Sequence, residues 1–222
     1  MIMRALVVGA SGGIGGAIAA ELKARDWDVT GLSRSDDGLD VTEEGSVCQA
    51  FGQLKDTFDL VFVATGALVC VADRPEKSIR EASAEELAAQ YRINAIGPML
   101  VLKHALSVLP KENRAVFAAM SARVGSIGDN HLGGWHSYRA SKAALNQLLH
   151  GAAIELARTH PRAILAALHP GTVATPFTKD YAEHHDRVQP TAAARSLLDV
   201  VEGLRPEDSG GFFDYAGRPI PW

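Results

Sequence analysis

The chain of 222 residues is nearly devoid of cysteine, with Cys48 and Cys70 its only two. Two are too few for a disulfide framework, and their spacing is not the CxxC of a zinc site. A reducing, cytoplasmic setting is expected. Positive charge is in deficit too: 22 Lys and Arg face 26 Asp and Glu, for a formal net charge of −4. That balance offers no electrostatic reason to seek nucleic acid or an anionic membrane as a partner. Long apolar runs are also missing. The apolar start breaks at Gly9, well short of the roughly 20 residues that span a bilayer and without a signal peptide's basic start and cleavage region, so it reads as a strand. The eight histidines are scattered apart from His184 and His185, and neighbours on a helix point about 100° apart, so no metal site is expected.

What is present is an ordinary globular balance, 47% apolar and 22% charged. Without repeats, low-complexity tracts or linkers, residues 1–222 read as a single domain. Apolar runs of strand length recur at 5–8, 29–32, 60–64, 115–119, 163–168 and, more weakly, 211–215. Most are continuous rather than alternating, as suits parallel strands covered on both faces. Between them, helical periodicity covers 13–25, 43–54, 85–109, 138–159 and 191–204. Strand and helix alternate, so the expected class is α/β with a doubly wound, mainly parallel sheet of Rossmann type. One connection is too short. Four residues, Ser35 to Gly38, separate Arg34 from the strand-like piece 39–41, so the crossover helix there is missing or minimal and any strand irregular.

Directly after the first strand stands Gly9-Ala10-Ser11-Gly12-Gly13-Ile14-Gly15, opening a helix. Glycines permit a tight turn and close approach to a ligand, and the helix start offers free N–H groups to a pyrophosphate. A dinucleotide is the expected ligand, although glycines also serve plain turns. The second strand ends in Ser33-Arg34, where an acidic residue would hold both ribose hydroxyls of NAD and an arginine the 2′-phosphate of NADP. Because the arginine comes first, NADP is expected over NAD. A solvated surface charge is the plain alternative.

Tyr138 and Lys142 are four residues apart and share one helical face. An ammonium beside a phenol stabilises phenolate and tunes it for proton transfer. With the glycine turn, these motifs resemble those of the short-chain dehydrogenase/reductase family in its compact form. The matching pieces are Gly9-x-x-x-Gly13-x-Gly15, Asp40-Val41, Asn94, Ser121, Tyr138-x-x-x-Lys142 and Pro170-Gly171-x-x-x-Thr175. The segment 121–142 and the ending Ile220-Pro221-Trp222 are most similar to the carbonyl-reductase-like branch that includes C-factor proteins.

The resemblance implies that Tyr138 exchanges the proton with a carbonyl or alcohol oxygen, that Lys142 holds the nicotinamide ribose, that Ser121 bonds the substrate oxygen and that Asn94 holds a water linking Lys142 to solvent. It implies cofactor contacts from Gly9, Ser11, Gly13, Ile14, Gly15, Ser33, Arg34, Asp40, Val41, Ala64, Gly66, Pro170, Gly171, Val173 and Thr175. Phe177, Tyr181, His184 and His185 fall where the family carries a lid over substrate, and Trp135 and His136 are candidates for the pocket wall. Helices 85–109 and 138–159 would pack across a homodimer or homotetramer interface.

Two departures stand out. The family's Asn-Ala-Gly is Ala64-Thr65-Gly66 here, and its Ser-Ser pair is Ser121-Ala122. Either Ser121 is aimed into the site by a small backbone shift, or Ser126 substitutes, or the serine role is weakened; Ser121 is the expectation, since a developing oxyanion needs a fixed donor. The expected activity is NADPH-dependent reduction of a small ketone or aldehyde. The alternative is a dinucleotide-binding regulatory or scaffold protein with residual catalysis.

Overall fold

The fold comes from a computed structural model, which describes residues 2–176 and 187–222. Phe177, Tyr181, His184 and His185 lie outside the described residues. Ala5, Leu6, Val7 and Val8 are all fully buried because β1 (Arg4–Val8) is an inner strand covered on both faces. Around it run α1 (Gly13–Ala24), β2 (Asp28–Leu32), α2 (Arg34–Asp37), α3 (Glu44–Gly52) and β3 (Leu60–Val63). There follow α4 (Ala84–Tyr91), α5 (Gly97–Ala105), β4 (Ala115–Met120), α6 (His136–Leu156), β5 (Ala163–His169), α7 (Pro190–Gly203) and β6 (Gly211–Asp214). The strands form one sheet in the order β2-β1-β3-β4-β5-β6, every neighbouring pair parallel.

Alternate residues of each strand feed two cores. Leu6, Val8, Phe117 and Leu165 pack with Leu102, Leu145 and Leu149 of α5 and α6. Val7, Phe62, Val116 and Ile164 pack on the other face with Ile18, Leu22, Leu197 and Val201 of α1 and α7. This double burial explains why the strands read as unbroken apolar runs. The chain leaves β1 toward β2 on one side and returns to β3 on the other, so the crevice at the carboxyl ends of β1 and β3 is the topological switch point.

The short connection after β2 is resolved by local hydrogen bonding. The four-residue α2 is held by Ser33, whose hydroxyl accepts from Asp36 N while its own N–H donates to Asp37 Oδ2 at 2.8 Å. Residues 39–41 form no strand: Leu39 and Val41 are buried, and Asp40 Oδ1 accepts from both Thr42 N and Thr42 Oγ1. The periodicity at 85–109 resolves into α4 and α5 joined by a π-helical turn, Arg92–Ile96, that holds Asn94. Such a widened turn re-aims its side chains relative to an α-helix.

Gly15 shows how tightly the first crossover is built. A Cβ there would lie 2.1 Å from the Gly9 carbonyl oxygen, a backbone atom that cannot swing away. Gly15→Ala is therefore expected to cost about 1–3 kcal/mol of stability. Urea unfolding should show a lower midpoint at unchanged slope, and an unchanged midpoint would mean that the turn can relax.

Candidate active site

Tyr138 and Lys142 stand in the first two turns of α6, both buried against the carboxyl end of β4. The helix has no cap of its own, for Trp135 precedes it in a left-handed conformation at φ 51°. The cap comes instead from the segment after β3. Glu76, only 4% exposed, accepts through Oε1 from Ser137 N at 3.2 Å and from the Ser137 hydroxyl, while its carbonyl oxygen accepts from Trp135 N at 2.6 Å. A carboxylate at a helix N-terminus satisfies unpaired N–H groups and complements the dipole. It also fixes the turn that carries Tyr138.

Lys142 Nζ donates to Met120 O at 2.8 Å and lies 5.8 Å from the centroid of the Tyr138 ring. Burial pushes the Lys142 ammonium down to about 7 and raises the Tyr138 phenol above its ordinary value. Four residues further, Asn146 accepts from Ser121 Oγ at 2.7 Å. Tyr138, Lys142 and Asn146 thus form an i, i+4, i+8 ladder facing the end of β4.

Asn94 is fully buried behind this ladder. Its Nδ2 donates to Ala67 O at 2.8 Å, Gln90 Oε1 at 2.5 Å and Ser141 Oγ at 3.1 Å, and its Oδ1 accepts from Ala67 N. Gln90 in turn donates to Glu86 Oε1, and Glu86 gathers the N–H groups of Cys70, Val71 and Ala72. Burial alone would raise the Glu86 carboxyl, yet these donors hold it below its ordinary value.

A cavity of about 820 Å³ opens over the carboxyl ends of β1, β3, β4 and β5. Of the residues expected at a site, Ser11, Gly13, Ile14, Ala64, Gly66, Ser121, Tyr138, Lys142, Pro170, Gly171, Val173 and Thr175 line it. Gly9 and Gly15 lie just beneath as turn formers. Asn94 stands behind the wall: a Cβ on Gly66 would come within 2.8 Å of its Oδ1 and 3.3 Å of Lys142 Nζ. Ser33 is 3% exposed with its hydroxyl engaged in capping α2, and Arg34, Ser35, Asp36 and Asp37 are the exposed polar residues beyond β2. Hydrogen bonds from Thr42 hold the Asp40 carboxyl below its usual range, and Val41 is buried against α5 at Gly97.

Ser126 stands apart from Ser121. Its hydroxyl donates to Pro221 O at 2.5 Å and accepts from Asp129 N, and it does not line the cavity. Trp135 lines the wall whereas His136 does not. Thr65, Arg123, Arg139 and His169 line it unforeseen. Arg139 and His169 sit beside motif residues, Tyr138 and Pro170, where adjacency was the available signal. Burial, the first cause, and the Arg123 charge hold His169 down to about 4, with Asp214 opposing them. Its Nδ1 and the Thr65 hydroxyl are buried without a hydrogen-bond partner among the described residues.

A parallel sheet with a glycine turn at its switch point and a buried Tyr–Lys pair beside it defines a class of α/β nucleotide-dependent oxidoreductases. The short chain dehydrogenase family model matches residues 3–186. A Rhodococcus sp. (strain AD45) protein named 1-hydroxy-2-glutathionyl-2-methyl-3-butene dehydrogenase is 32% identical, with 98% of each chain covered. C-signal of Myxococcus xanthus is 36% identical over 62% of this chain and 79% of its own. Among solved structures, a Burkholderia multivorans protein described as a short-chain dehydrogenase/reductase with bound NADP superposes at a TM-score of 0.87, with 29% identity and both chains fully covered. The chain belongs to the short-chain dehydrogenase/reductase family.

Lys142 carries a pH signature. Its folded-state value near 7 lies below the ordinary 10.5, so between those values the unfolded chain binds more protons and stability rises with pH. In the protein without added nucleotide, the stability of wild type relative to Lys142→Met should climb from pH 7 to pH 10. The slope is at most about 1.4 kcal/mol per pH unit. Urea unfolding at four pH values measures it; parallel curves for the two proteins would remove the assignment of a desolvated lysine.

Proposed function

We propose that the protein is an NADP-dependent oxidoreductase that reduces a small ketone or aldehyde to the alcohol, with Tyr138 as general acid. The observation that carries this reading is the convergence of Tyr138, Lys142 and Ser121 on one cavity whose other end is the glycine turn. The dinucleotide fits the residues present. No side chain caps the first turn of α1, so its N–H groups are available to a pyrophosphate. A Cβ on Gly13 would meet Thr175 at 3.0 Å, and Thr65, whose buried hydroxyl has no hydrogen-bond partner among the described residues, lines the same cavity. When bound, the nicotinamide supplies the hydride.

NADP follows from the chemistry after β2. Ser33 is engaged in capping, Asp37 and Asp40 accept from local backbone donors, and the Arg34 guanidinium makes no ion pair among the described residues. A guanidinium that makes no ion pair, although Asp40 feels its charge, suits a 2′-phosphate better than ribose hydroxyls alone. The Burkholderia relative, solved with NADP bound, supports the choice.

The side chains then divide the work. Tyr138, kept protonated by burial, donates its phenolic proton to the carbonyl oxygen as that oxygen becomes anionic. Lys142, anchored on Met120 O, offers a cation that stabilises the phenolate left behind. Ser121 reaches the substrate oxygen only by exchanging its bond to Asn146. Asn94 is read as an anchor of the segment after β3 and of Ser141 in α6, through which it positions the Tyr–Lys turn. The Rhodococcus relative, named as a dehydrogenase of a hydroxylated compound, fits alcohol–carbonyl chemistry.

The engagement of Ser121 by Asn146 favours the second reading, a dinucleotide-binding regulatory protein with residual catalysis. The proposal includes a cytoplasmic homo-oligomer, motivated by exposed Leu87 and Tyr91 on α4 and Ile154 on α6. No helix among the described residues is long and apolar enough to cross a membrane.

A panel of aldehydes and ketones with NADPH separates the two readings. Tyr138→Phe should lower kcat at least about a hundredfold while leaving NADPH binding intact. Undiminished turnover in that variant would overturn the assignment, and tight NADPH binding without turnover in wild type would favour the regulatory reading. Arg34→Ala should weaken NADPH by about tenfold or more and NADH little. Equal effects on both cofactors, measured by fluorescence titration, would exclude the phosphate contact.

A further inference from the structure

The cavity differs in charge from the rest of the molecule. In a chain with more acidic than basic residues, no Asp or Glu among the described residues lines it, whereas Arg123, Arg139 and Lys142 do. Lys142 belongs to the chemistry, and Arg123 is paired with Asp129 at 2.9 Å and Asp214 at 3.6 Å. Arg139 is different. It is half-buried, its Nε donates to Gly134 O at 3.0 Å and an Nη to Val124 O at 3.4 Å, and no carboxylate among the described residues pairs with it. Backbone carbonyls orient the guanidinium without neutralising it, and further N–H donors remain on its planar fork.

The position of this charge matters. The dinucleotide phosphates belong with the uncapped first turn of α1, at the glycine end of the cavity. Arg139 instead belongs with Val124, Leu132 and Trp135, beyond Tyr138. These three side chains make that wall apolar, and Leu132 is 91% exposed at its edge. An apolar wall with one partly desolvated, unneutralised guanidinium matches an organic anion with an apolar body. A carboxylate is the group whose two oxygens meet the guanidinium fork.

We propose that Arg139 is a specificity-determining residue and that the substrate is a carbonyl compound, or its alcohol, bearing a carboxylate on an apolar frame. This deepens the reading of the cavity as a reductase site and rests on it for the carbonyl. The carboxylate arm is testable on its own. With the apolar frame along Val124, Leu132 and Trp135, the acid group ends on Arg139 while the carbonyl oxygen faces Tyr138.

The test compares each acid with its methyl ester, starting from 4-formylbenzoate and methyl 4-formylbenzoate with NADPH. Binding of 4-formylbenzoate is followed independently by quenching of tryptophan fluorescence. In wild type, kcat/KM should favour the acid by about tenfold or more. Arg139→Gln should collapse that ratio toward one, and Arg139→Lys, which keeps the charge but loses the fork, should restore part of it. An acid-to-ester ratio of one or less in wild type, or a preference that survives Arg139→Gln, overturns the proposal. The wild-type ratio decides even where the glutamine variant fails to fold. If neither compound is turned over but the acid binds and Arg139→Gln abolishes that binding, the anion site stands and the reductase reading falls. Absence of both turnover and binding overturns both.

Discussion

The arrangement depends on one electrostatic constraint, the burial of a lysine ammonium with no carboxylate beside it among the described residues. Lys142 is 2% exposed, and its ammonium donates to a backbone carbonyl, Met120 O. A charge in that position is expensive, and burial accordingly draws its pKa down to about 7. A nearby carboxylate would relieve the cost, but it would also neutralise the ammonium that lies 5.8 Å from the centroid of the Tyr138 ring. Among the described residues no acid lines the cavity, so nothing there neutralises Lys142.

The carboxylates that do approach are used mechanically. Glu76 is 61 residues from Ser137 and holds the start of α6. Glu86 gathers three successive backbone N–H groups after β3 and, through Gln90, connects them to Asn94. Both acids are buried and hydrogen-bonded, the condition under which a buried carboxylate supports a structure. The widened turn at Arg92–Ile96 serves the same end, seating Asn94 against Ala67 and Ser141 at once. Two segments distant in sequence are thereby locked to the helix that bears Tyr138 and Lys142.

The contrast between these groups explains what the sequence discloses. Tyr138 and Lys142 are legible because a four-residue spacing suffices to place them on one face, and the glycine turn because its residues are contiguous. The doubly buried strands announce themselves as unbroken apolar runs, for the same reason that β1 and β3 to β5 are inaccessible to water. Asn146 extends the ladder by another four residues and was readable by the same rule. Glu76 and Gln90 carry no such signal, since their partners are brought together only by the crossover connections. Ser126 looks equivalent to Ser121 along the chain; its hydroxyl is claimed by Pro221, 95 residues away.

The trimmed segment after β2 illustrates how a short chain keeps a specific charge in a crowded acidic neighbourhood. Asp36, Asp37 and Asp40 follow Arg34 in sequence and together outnumber it. Asp36 Oδ1 accepts from Ser35 Oγ, Asp37 Oδ2 from Ser33 N, and Asp40 Oδ1 from Thr42, so each is held by a local donor, and the Arg34 charge adds only a lesser pull on Asp40. Charge is conserved in these bonds, but orientation is not left to chance. The acids replace the missing strand as braces of a turn, and Arg34 is left exposed. Selectivity for a phosphate in this setting has to be a short-range effect, exerted by a guanidinium at contact distance, because a chain of net charge −4 repels an anion at any greater range.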